Sequence, residues 1–84
     1  MTVWILLYGA PGAFRDADVF DSSVIAEDAA IEWASRSMRA RDGVEVIPAR
    51  GADAGAAWVV VVRMNEDGRV EYKTKVAKIV TRNL

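Results

Sequence analysis

The residues best suited to chemistry crowd the first third of the chain. Asp16, Asp18 and Asp21 stand close enough to open a calcium loop, because hard cations take carboxylate oxygens at such spacing. The rest of that loop is missing. No glycine follows at the sharp turn, and Val19, Phe20 and Val24 fill positions that ligands would need. Glu27 and Asp28 are adjacent acids, but neighbouring helical side chains diverge by about 100°, so they do not form a general acid and base pair. Ser22 and Ser23 are nucleophiles in principle. The chain has no histidine to activate them and no cysteine, which also removes the usual general base and the thiolate metal sites. Gly9-Ala10-Pro11-Gly12 invites comparison with a phosphate-binding loop or a nucleotide-clamping Gly-x-x-Gly turn. Pro11 lacks an N–H, no Lys-Ser or Lys-Thr pair follows, and Asp16 and Asp18 would repel an anion, so a plain turn is the simpler reading. The sequence therefore supplies no catalytic residue, no metal ligand set and no cofactor motif. An enzyme is not expected.

Charge is uneven along the chain. From Asp16 to Glu32 there are six acids and no base; from Arg69 to Arg82 five bases face Glu71 alone. The net charge of -1 argues against a protein held mainly by phosphate backbone, so direct nucleic-acid contact is not the first expectation. Two binding surfaces follow from this asymmetry. An acidic patch of Asp16, Asp18, Asp21, Glu27 and Asp28 suits a basic protein partner, such as one that itself binds nucleic acid. The alternative is a small nucleic-acid-binding or regulatory module using Arg69, Lys73, Lys75 and Lys78 on the last strand, with Tyr72 as an aromatic neighbour.

At 84 residues the chain supports one core and one domain, 1–84. The apolar run Val3 to Tyr8 reads as a buried strand and is too short for a membrane span or an export signal, so a cytoplasmic location is the default. Between Phe14 and Ala26 two readings compete. One caps a helix at Ser22 or Ser23. The other, preferred because Val24 and Ile25 are β-branched, makes Asp18 to Ile25 a strand and starts the helix near Glu27, with Glu27 and Asp28 in its first turn. The helix runs to about Arg41 with Ala30, Trp33, Ala34, Ser37 and Met38 on its core face, Arg39 and Arg41 at its end and Gly43 as the stop. Val44 to Ile47 and Trp58 to Met64 read as strands around a low-complexity loop from Gly51 to Ala57. Asn65-Glu66-Asp67-Gly68 reads as a hairpin turn into a last strand from Arg69 to about Val80. That strand alternates Val70, Tyr72, Thr74 and Val76 against Glu71, Lys73 and Lys75, and past Ala77 the changed order of Ile79 and Val80 implies a bulge or a bend.

The expected fold is α+β: one antiparallel-rich sheet of four to five strands in the order β-β-α-β-β-β, with one helix on one face. One helix shields one face, so Trp4, Leu6, Tyr8, Val59 and Val61, or their alternates, are expected as an exposed apolar interface for a partner or a homodimer.

In length and order of elements, including the Val24-Ile25-Ala26-Glu27-Asp28-Ala29-Ala30 segment at the helix start, the chain resembles many very small phage and mobile-element proteins, certain anti-CRISPR proteins among them. The resemblance has no diagnostic motif. It implies a non-catalytic inhibitor that binds a host protein stoichiometrically, and it assigns a role to no residue.

Overall fold

The computed structural model describes residues 1–37 and 43–84, apart from the side chain of Tyr72. The expected α+β architecture is present. Strands β1 (Thr2–Tyr8) and β2 (Asp16–Phe20) precede helix α1 (Ser23–Ser37), which is followed by β3 (Val44–Pro48), β4 (Ala57–Met64) and β5 (Val70–Asn83). The five strands form one sheet in the order β2-β1-β5-β4-β3, every neighbouring pair antiparallel, and α1 packs on one face.

The helix starts earlier than the preferred reading. The ladder between β1 and β2 ends with the pairing of Trp4 and Phe20, short of Val24 and Ile25. Ser22 takes them into the helix instead. Its hydroxyl accepts from the Ile25 N–H at 3.4 Å and its carbonyl from the Ala26 N–H at 3.1 Å, which is the geometry of an N-cap. Glu27 and Asp28 consequently lie beyond the first turn, which holds no acid. Ala26, Ala30 and Ala34 are fully buried against the sheet, Trp33 is half-buried and Ser37 is exposed. The expected roles of Met38, Arg39 and Arg41 lie outside the described residues.

Leu6, Val59, Ala77 and Ile79 meet the three alanines to form the core, with Trp4, Tyr8, Phe20, Val44, Val46 and Val61 packed around it. The five residues expected on a bare sheet face, Trp4, Leu6, Tyr8, Val59 and Val61, therefore lie under the helix. The face away from α1 carries their alternates.

The Asn65 to Gly68 turn forms as its sequence suggests. The Asn65 carbonyl accepts from Gly68, its side chain accepts from Asp67 and Arg69, and Gly68 takes a φ of +79°. Beyond the reach of β1 and β3, β4 and β5 continue as a two-stranded arm, which accounts for the elongated 46 × 27 × 23 Å outline. The bulge in β5 falls earlier than expected. Val59 pairs with Ala77 but Val60 pairs with Lys75, so Val76 is the extra residue and stays in the core; a second shift, between Arg63 and Met64, puts Val70 opposite Met64 and takes it out of the expected alternation with Tyr72 and Thr74. No helix among the described residues is long and apolar enough to cross a membrane.

Candidate interaction surface

The bulge decides where the positive charges go. Before it, Lys73 and Lys75 sit opposite Val62 and Val60; after it, Lys78 and Arg82 sit opposite Leu7 and Val3. All of these positions alternate with residues packed on α1, so all four cations share the helix-free face. Trp58, directly across from Lys78, lies among them. The Lys75 ammonium stands 4.5 Å and the Lys78 ammonium 5.0 Å from the Trp58 ring centre, within cation–π range. Phe14, brought over by the turn after β1, stacks beside Trp58 at 6.5 Å with 22° between the rings.

Two of the cations carry partners. Lys73 bonds Glu45 at 3.1 Å and Lys78 bonds Asp53 at 2.6 Å. Among the described residues the Lys75 ammonium stands over the Trp58 ring, and Arg82 donates to the Thr81 carbonyl. Between the Gly51–Asp53 turn and β5 opens a recess of about 270 Å³, lined by Asp53, Gly55, Lys78, Val80 and Arg82.

The broad apolar patch expected on this side is replaced by a basic and aromatic one. Val3, Val60 and Val62 are nearly inaccessible to water although no helix covers them. Their cross-strand neighbours are Arg82, Lys75 and Lys73, side chains whose methylene stems shield apolar surface while the charged heads reach water. Val19, on the edge strand, is open to solvent on this side, at 63%.

The expected acidic patch is divided. Asp16 and Asp18 are exposed together on β2, opposite Tyr8 and Leu6 and so on the helix side of the sheet. The Tyr8 hydroxyl donates to Asp18 at 2.6 Å, and Asp16 caps the Ala17 N–H at 2.8 Å. Burial, then the bond to Asp18 and the charges of Asp18 and Asp16, push the Tyr8 phenol up to about 12. Glu27 lies elsewhere, lining a groove with Pro48 and Ala57 near the opposite edge. Asp28 is exposed on the helix and Asp21 in the connection before it. No group of three potential ligands among the described residues could hold a metal ion.

Arg69, expected with the lysines, sits at the hairpin turn, about 20 Å along the strand from Lys75 at the usual rise per residue. The Tyr72 side chain is outside the described set. Trp58 and Phe14 were not singled out by sequence reasoning. The signal that points to Trp58 is the three-residue step from Lys75 to Lys78, which brings both to one face only if a residue bulges between them.

Comparison of the chain with known protein families, with curated proteins and with solved structures finds no match.

Proposed function

We propose that the protein is a non-catalytic binding module that takes an anionic partner on the helix-free face of its sheet. One observation carries this reading: the Val76 bulge gathers Lys73, Lys75, Lys78 and Arg82 around Trp58 on one face, although strict alternation would divide them between two. Tryptophan and arginine are the residues that most often dominate binding energy. The missing histidine and cysteine also favour binding over catalysis.

The test uses heparin as a base-free polyanion. Wild-type protein is expected to be retained on a heparin column at low salt and released as salt rises, and the Lys75→Gln, Arg82→Gln double variant to elute at clearly lower salt. Equal retention of the double variant, or none for either, would overturn the assignment of this face.

A second reading has its own support. Asp16 and Asp18 are exposed side by side on the edge strand and free of basic partners in the described contacts, which suits docking on a basic protein in the manner of a phage-type inhibitor. Asp16→Asn with Asp18→Asn, tested on a polylysine surface, would then lose binding that the Lys75 and Arg82 variant keeps.

A further inference from the structure

We infer that the anionic partner is single-stranded nucleic acid, an inference that rests on the reading of the helix-free face given above. A strand of nucleic acid offers a negative charge at every repeat and a flat π-surface beside it. The helix-free face answers both features.

The cations run along one strand. Same-face residues on a β-strand recur about every 6.6 Å, so Lys73 and Lys75, then Lys78 and Arg82 across the bulge, form a line suited to an extended backbone rather than a point site. Among the described residues, four cations against Glu45 and Asp53 leave Lys75 and Arg82 in excess, one on each side of the bulge. Trp58 and Phe14 lie beside that line with their rings nearly parallel. Bases stack on such surfaces with little regard to sequence, and the neighbouring cations attract the phosphates. The two ammonium groups over Trp58 are then placed to move from ring to phosphate when a base arrives. The recess beside Lys78 and Arg82 gives the strand somewhere to continue.

A duplex fits less well. Its bases are hidden within the stack, α1 lies on the other face and cannot enter a groove from this one, and the aromatic pair would meet only sugar and phosphate. An acidic protein surface would satisfy the cations but would leave the stacked rings without a flat partner.

The experiment measures fluorescence anisotropy of a labelled oligothymidylate of about 12 nucleotides, within the range covered by one small fold, against its duplex, polyglutamate and heparin over a salt series. The single strand is expected to bind most tightly. Its log affinity should fall with log salt by about 0.7 per phosphate engaged, and Lys75→Gln with Arg82→Gln should reduce that slope by about 1.4. Trp58→Leu should weaken strand binding about 5- to 150-fold, a larger loss than the same change causes on heparin. Since Trp58 also packs within the sheet, Phe14→Ala serves as a second variant, with a smaller loss of the same kind.

Duplex or polyglutamate bound as tightly as the strand would overturn the inference, as would strand binding insensitive to both Trp58→Leu and Phe14→Ala. Heparin retention that depends on Lys75 and Arg82, with no binding of oligothymidylate at low salt, would sink the nucleic-acid inference and leave the anionic-partner reading standing. Loss of both would remove both.

Discussion

Replacing Trp33 by alanine tests how the helix is held on the sheet. The Trp33 ring meets Tyr8 edge-on, with centroids 4.8 Å apart and 65° between planes. Ala26, Ala30 and Ala34 allow close approach but bury little area each, so Trp33 is the large side chain of the described helix that joins the packing around the core. Truncating a buried tryptophan or phenylalanine costs about 3 to 5 kcal/mol, and partial exposure of Trp33 places it near the lower end, about 3 kcal/mol. Of this, roughly 0.5 to 1.5 kcal/mol belongs to the ring pair itself. An 84-residue domain has a total stability of only about 4 to 13 kcal/mol, so the variant should remain folded with much of its margin gone. In urea the midpoint should fall by about 2 M for a slope near 1.5 kcal/mol/M. A double-mutant cycle with Tyr8→Leu isolates the ring pair, because the bond from Tyr8 to Asp18 is lost in both backgrounds and cancels. Coupling should be about 0.5 to 1.5 kcal/mol on the same argument. A change below about 1 kcal/mol for Trp33→Ala, or no coupling to Tyr8, would refute this account of the helix contact.

Two further predictions address the first turn of the sheet and its neighbour. Tyr8, one of two tyrosines, should ionise late in an ultraviolet pH titration, near 12 against an ordinary value of 10.0, and Tyr8→Phe should remove that late phase. Because the folded-state value is raised, the unfolded chain releases its proton first; the Tyr8 contribution is therefore intact below pH 10 and is lost as pH rises towards 12. The full shift corresponds to at most about 3 kcal/mol, and to less once water screens the exposed Asp18, so a pH dependence in this window unaltered by Tyr8→Phe would contradict the bond. Gly9→Ala should destabilise by about 2 to 3 kcal/mol, because Gly9 holds a φ of +126° and a Cβ there would stand 2.7 Å from the Ala13 carbonyl oxygen. Gly12→Ala, at φ +77° with open space around it, should cost only about 1 kcal/mol, and equal thermal shifts for the two variants would count against the turn geometry.

The parts of the fold that depend on local chemistry were legible in the chain. The apolar run of β1, the Asn65 to Gly68 turn and the alanine face of α1 each follow from neighbouring residues. What was not legible depends on partners distant in sequence. The helix start looks like strand because Val24 and Ile25 favour extended backbone, yet the ladder with β1 stops at Phe20 and the Ser22 cap takes both residues into the helix. The acids from Asp16 to Asp28 look like one patch when read along the chain, but β2 lies at one sheet edge and Glu27 faces a groove near the other. The two edge strands also oppose sheet extension. β2 is five residues long and carries two aspartates, while β3 ends on Pro48, features that discourage pairing with a second copy.

The bulge follows from a conflict that the sequence sets up and only the assembled sheet resolves. Ala77 and Ile79 must face the helix to complete the core, which sends Lys78 to the opposite face. With strict alternation, that register would turn Lys73 and Lys75 towards the helix side and expel Thr74 and Val76 from it. Shifting the whole strand by one residue would repair this end and instead bring Lys78 under the alanines, where an unpaired ammonium is far more costly than one interrupted rung of the ladder. Inserting Val76 as an extra residue satisfies both halves. The register breaks at this point of the ladder, as it does again between Arg63 and Met64; Val76 remains buried at 8% exposure, and every lysine of β5 reaches water on the same side. The gathering of charge around Trp58 is therefore tied to the packing of Ala77 and Ile79. Substitutions that remove the bulge must disturb the core and the candidate binding face together.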